Sequence, residues 1–302
     1  MRKRLFLFSL ALVLLISIQP LNAAMLDYYM GAYGDSESIG SIGVRSEIRT
    51  HVYRVYQVEE DSFWVGTHLD NGALIEFGYS LFGKSTLCEY GEVGAGNSVT
   101  CMGGMLQNNE YDPVWAWAYW LNQSDHYFGI GQISPSELNG TWHLYSITPD
   151  LKGEWAFLLD GRQVATARFP PTNSSDAVWV LAEKTSTLAS PGPLGPVEFR
   201  NLAYLRQNGW HNVTELYAYT GCGVNNCGSV AYGVASNGAN HIVAGTSLPQ
   251  SENGALLWSS VEPTPLWTDL LPNVSVLFYG SLIVGVSIIA IFIFLRKRTK
   301  TT

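Results

Sequence analysis

Three groups of residues in this sequence have types and spacings that could do chemistry. The first is Gly78-Tyr-Ser-Leu-Phe-Gly83-Lys84-Ser85, which satisfies the phosphate-loop pattern G-x-x-x-x-G-K-[ST]. That pattern holds phosphate through a flexible loop of backbone amides leading into a helix. Here Tyr79, Leu81 and Phe82 read as strand, and Cys88 follows where the helix should run. Nucleotide binding is therefore not expected. The second group is the four cysteines, which fall in two local pairs, Cys88 with Cys101 and Cys222 with Cys227. In an oxidising compartment they read as two local disulfides, one of three possible pairings. Zinc would need a second C-x-x-C or paired histidines beside Cys222-Gly-Val-Asn-Asn-Cys227, and neither is present. The third group is the indoles and acids of Phe63-Trp-Val-Gly-Thr-His-Leu-Asp-Asn-Gly-Ala-Leu-Ile-Glu-Phe-Gly78 and the aromatic run at 114–121. In that run Trp115, Trp117 and Tyr119 share one strand face, and Ala116, Ala118 and Trp120 the other. Such a face either lines a groove for an extended peptide or sugar rings, or packs as core between sheets, the commoner fate. The six histidines show no H-x-H or H-E-x-x-H spacing, and no G-x-S-x-G elbow occurs. No metal or cofactor is expected.

The elements that must position these groups are strands. Residues 51–58, 62–68, 73–82, 114–121, 142–148, 178–184, 197–205 and 215–220 are short, aromatic or β-branched, and separated by turn residues. Residues 154–159 and 162–169 flank Asp160-Gly161, the signature of a hairpin. No stretch of the body sustains a 3.6-residue apolar period. Short strands with glycine-rich turns imply an all-β sandwich or jelly roll. Pro249, Pro263, Pro265 and Pro272, with Ser and Asn between, suggest a stalk over residues 247–273.

The two ends say where this body should work. Arg2, Lys3 and Arg4 precede an apolar run from 5 to 18, with Ala23 and Ala24 as a cleavage site, the anatomy of a signal peptide over residues 1–24. Residues 274–295 carry no charge and reach about 33 Å as a helix, enough to cross a bilayer. Arg296, Lys297, Arg298 and Lys300 follow as a short cytoplasmic tail, 296–302. The expectation is a single-pass protein whose domain, 25–246, lies outside the cell. With the terminal basic residues set aside, 10 Lys and Arg face 25 Asp and Glu, a net charge of −15. Such a body repels nucleic acid, and its self-repulsion falls in acid. Sequons begin at Asn122, Asn139, Asn173, Asn212 and Asn273, expected on exposed loops where the host glycosylates them.

Read in order, several segments resemble the glutamic peptidases (eqolisins), acid-active β-sandwich proteases. Phe63–Gly78 is similar to the family's W-V-G-I-D … A-[IL]-L-Q-x-G signature, and Met30-Gly-Ala-Tyr33 to its W-x-G-A opening. Tyr111-Asp-Pro-Val-Trp-Ala-Trp117 and Ile130-Gly-Gln-Ile-Ser-Pro-Ser136 resemble its D-A-W-Y-E-W … I-x-I-S-x-G-D stretch. Ala177-Val-Trp-Val-Leu-Ala-Glu183 resembles A-E-[WF]-I-[IV]-E, and Pro196-Val-Glu-Phe199 the family's P-F-x-x-F. The resemblance, over residues 25–246, implies a concanavalin-like jelly-roll sandwich of two antiparallel sheets, followed here by the transmembrane helix. It makes Glu183 the water-activating base and places Glu76 where the family has an oxyanion-stabilising Gln. It puts Trp64, Asp112, Trp115 and Trp117 on the substrate side, and Ala116 where the family has a substrate-contacting Glu. Glu183 stands four residues after Trp179 rather than the family's three, which implies a bulge or a shifted register. Two facing carboxylates would share a proton, so a protonated Glu76 could replace the amide donor in acid. The implied partner is a polypeptide substrate. The rival readings are a module binding surface glycan or protein, and a glycoside hydrolase with paired carboxylates.

Overall fold

The computed structural model describes residues 26–53, 55, 59–82, 114–121, 126–132, 140–186, 192–222 and 233–260. Within them the chain is all β apart from one 3-10 turn, Ser36–Ser38. Its strands are β1 (Leu26–Gly34), β2 (Val44–Arg49), β3 (Glu59–His68), β4 (Leu74–Phe82), β5 (Val114–Trp120) and β6 (His126–Gln132). They continue as β7 (Trp142–Pro149), β8 (Trp155–Leu159), β9 (Arg162–Ala167), β10 (Trp179–Ser186) and β11 (Val197–Arg206). The last are β12 (Gly209–Asn212), β13 (Glu215–Cys222), β14 (Gly233–Ser236), β15 (His241–Gly245) and β16 (Leu256–Ser259).

These strands form two antiparallel sheets. One runs β16-β13-β1-β10-β3-β4-β5-β6, and the other β14-β15-β11-β2-β7-β8-β9, with β12 paired to β11. The sheets face each other across a continuous apolar core, in keeping with a jelly-roll sandwich. Alternation along each strand decides which side chains enter it. From the first sheet come Phe63, Phe77 and Tyr79, and from the second Tyr145, Phe157 and Phe199, all fully buried. Phe77 meets Tyr145 edge-on with ring centroids 5.1 Å apart, and Phe157 at 5.5 Å. The Asp160-Gly161 hairpin forms as expected: both residues take positive φ, 52° and 78°, joining β8 to β9.

Two expectations are corrected by the chain itself. Residues 51–53 and 55 are irregular rather than strand, because the His51 amide donates to the Tyr79 hydroxyl at 3.2 Å instead of joining a ladder. The segment read as stalk from 247 contains β16, which pairs with β13 and packs Trp258 against the core. The sandwich therefore extends to Ser259. Among the described residues no helix is long and apolar enough to cross a membrane. The expected signal peptide and residues 274–295 lie outside the described residues, as do Asn122, Asn139 and Asn273. Asn173 and Asn212 are exposed.

The first half of the phosphate-loop pattern has a packing explanation. Gly78–Phe82 lies inside β4, in ladder with β3 and β5. A Cβ on Gly78 would stand 1.7 Å from the Phe63 carbonyl oxygen, so that position requires glycine for close strand approach. Gly78→Ala is expected to cost about 1–3 kcal/mol, read as a lower urea midpoint.

Candidate active site

The outer face of the first sheet carries the candidate site. Cross-strand partners share a face, so the ladders fix its layout. One row reads Tyr29, Glu183, Ser62 and Ser80 across β1, β10, β3 and β4. The next reads Gly31, Leu181, Trp64, Gly78 and Ala116, and the one after it Tyr33, Trp179, Gly66, Glu76 and Ala118. On β13, Tyr219 joins the middle row. Trp64, Ala116, Trp179 and Leu181 pack together here, nearly as buried as the inter-sheet core. Over them opens a cleft of about 590 Å³ whose walls include both Glu76 and Glu183.

The two acids that the sequence singled out thus line one cleft. Glu76 is 8% exposed, and Glu183 is half-buried. The Trp64 indole donates from Nε1 to Glu183 Oε2 at 2.9 Å, fixing the carboxylate over the cleft. Of the bulge or shifted register expected between Trp179 and Glu183, the bulge is absent: β10 pairs with β3 without a break from Trp179 to Ser186. An even spacing of four needs no bulge to put both side chains on one face. The register also corrects the expectation of directly opposed carboxylates. Glu76 sits four residues further along than Glu183, about 13 Å, and two strands away, about 10 Å across. Trp64 occupies the midpoint of that diagonal.

The other substrate-side candidates fare differently. Trp115 and Trp117 face the second sheet and pack against the inter-sheet core, where Trp117 stacks on Phe157 at 4.8 Å. Gly131 and Gly129 opposite them admit the indoles: a Cβ would stand 2.1 and 2.2 Å from the rings. The groove instead receives Ala118 and Trp120 from β5. Asp112 lies outside the described residues, as do Cys88, Cys101 and Cys227. Cys222 closes β13, and its side chain also lies outside them.

Residues not singled out beforehand complete the walls. Tyr29, Tyr33 and Tyr219 come from β1 and β13 and Leu74 and Trp120 from β4 and β5, with Trp179 of β10 between them beside Tyr33. At the end near Glu76, His68 Nδ1 lies 3.6 Å from Asp176 Oδ2. That pair is positioned by backbone bonds from Asp70 to Asn173 and from Ser175 to His68, which draw the 173–177 loop across the end of β3. The tyrosines were signalled by their alternation with Met30 and Ala32 in β1 and with Ala218 in β13.

No family model matches this chain, and no curated protein matches it. Solved structures similar to it include Scytalido-glutamic peptidase bound to a peptide-based transition state analog, at 12% identity over 72% of this chain and 97% of that one, with a TM-score of 0.39. They also include a glycoside hydrolase family 16 endo-glucanase from Bacteroides ovatus, at 10% identity over 53% and 66% of the two chains and a TM-score of 0.31. A prokaryotic beta-1,3-1,4-glucanase from a mouse hindgut metagenome matches at 14% identity over 55% and 68%, with a TM-score of 0.28. Both hydrolase classes thus stand among the similar sandwiches, at TM-scores too low to choose between them.

Proposed function

We propose that this chain is a membrane-anchored extracellular hydrolase that cleaves polypeptides in acid. One observation carries the reading: Glu183, oriented by the Trp64 indole, shares a single aromatic cleft with Glu76. Glu183 as carboxylate takes a proton from the water that attacks the scissile carbonyl. Glu76 in its acid form, two strands away in the same cleft, donates a hydrogen bond to a carbonyl of the extended substrate. Acid favours the pair, because Glu76 needs its proton.

A second reading, a glycoside hydrolase, rests on the same cleft, since two acids among aromatic side chains also suit a sugar chain that stacks on the rings. The test is hydrolysis of a denatured protein and of mixed-linkage glucan by the purified chain from pH 2 to 7. Proteolysis confined to acid supports the first reading. Glucan cleavage without proteolysis replaces it with the second, and inertness toward both leaves a binding module. Under either hydrolase reading Trp64→Phe, which keeps a ring but removes the N–H, should lower turnover about tenfold to a hundredfold in a protein that still folds. Unchanged turnover would show that the indole does not position Glu183.

A further inference from the structure

The cleft is acidic and aromatic at once. Among the described residues lining it, Glu76, Glu183 and Asp176 are the acids, no Lys or Arg is present, and the one basic group, His68, lies beside Asp176. Lys184, the residue next to Glu183, points to the opposite face and is held by Glu59 and Asp61. Beside Glu183 the tyrosines turn a corner. Tyr29 stacks on Tyr219 with centroids 5.4 Å apart and planes 24° apart, while Tyr33 meets Tyr219 edge-on at 6.3 Å and 86°. Tyr29 is also the direct cross-strand neighbour of Glu183. Gly221 lets its ring lie flat on the sheet, since a Cβ there would stand 2.1 Å from it.

We propose that this corner is a subsite for a cationic side chain, so that the cleft selects polypeptide segments bearing Lys or Arg. The proposal deepens the peptidase reading and rests on it for the cleavage arm of its test. Ring faces attract ammonium and guanidinium groups, and a carboxylate beside them completes the recognition. An anionic chain would meet three carboxylates with only His68 to offset them. The net charge of −8 further steers basic segments toward the molecule.

The binding arm uses the full chain in detergent at pH 6, with fluorescein-labelled decapeptides differing only in four central Lys, Gln or Glu residues, and a neutral glucan oligosaccharide as competitor. The Lys peptide is expected to bind at least tenfold more tightly than the Gln peptide, with the Glu peptide weaker still. Tyr33→Leu and Glu183→Gln should each remove most of that preference, whereas Tyr219→Phe, which keeps the ring, should retain it. Equal binding of Lys and Gln peptides overturns the proposal. So does a preference untouched by Tyr33→Leu and Glu183→Gln, or glucan binding without peptide binding. The cleavage arm compares the same peptides as substrates. Cleavage without charge preference would sink the subsite and leave the peptidase, while charge-selective binding without cleavage would do the reverse.

Discussion

Glu183→Gln is expected to lower turnover by a factor of about 10²–10⁴, the range that positioned proton transfer contributes. The substitution keeps an oxygen for the Trp64 indole to donate to, so the folded state and its melting temperature should change little. Retained turnover would remove Glu183 from the chemistry. The companion change Glu76→Gln separates the two hydrolase readings. A peptidase needs only a hydrogen-bond donor at that corner, and the amide supplies one, so activity should persist or rise and its acid limit relax. A glycosidase needs the proton itself to expel its leaving group, so the same change should abolish cleavage.

Lys184→Met is expected to be the most destabilising change, costing about 3–5 kcal/mol at pH 7, because it strips the cation from two fully buried carboxylates. Lys184 Nζ lies 3.0 Å from Glu59 Oε2 and 2.6 Å from Asp61 Oδ1. Glu59 also accepts from Ser186 and the Gly192 amide, and Asp61 from the Tyr53 hydroxyl, which in turn accepts from the Gly195 amide. One lysine thus serves two acids, tying β3 and β10 to the 192–195 segment. Burial pushes the Asp61 carboxyl up to about 6, against the lowering pull of Lys184 and the Tyr53 hydrogen bond. A carboxyl raised in the folded state favours folding while protonated. Its contribution is complete below about pH 4 and is lost as pH rises through about 6, on the order of 2 kcal/mol. Chemical denaturation of the wild type should therefore show stability falling from pH 4 to 7. Asp61→Asn should flatten that slope, and Lys184→Met should steepen it. A slope unchanged by Asp61→Asn would place its origin elsewhere.

What could be read from the sequence divides along physical lines. Central strands such as β3, β4 and β10 are rich in apolar and β-branched residues, and their alternation was plain. β2 escaped because its core-facing side includes Ser46, whose hydroxyl donates to the Arg200 carbonyl, giving an apolar count too low to stand out. β6 escaped because Gly129 and Gly131 read as turn, when they are the space left for Trp117 and Trp115. β16 was hidden by the prolines around it. Glu76 and Glu183 were legible only through an ordered set of motifs. The facing of Trp115 and Trp117 was not legible at all, because a single strand shows that two faces differ without showing which looks inward.

β16 has a mechanical consequence. It is the outermost strand of the cleft-bearing sheet, four residues long, and its ladder to β13 shifts register between Leu216 and Tyr217. Tension applied at Ser260 would load those few hydrogen bonds in succession, like a zipper, before reaching the longer ladders joining β1, β10 and β3. The molecule would yield first at its exit strand, a sacrificial link that gives way while the cleft-bearing face stays intact.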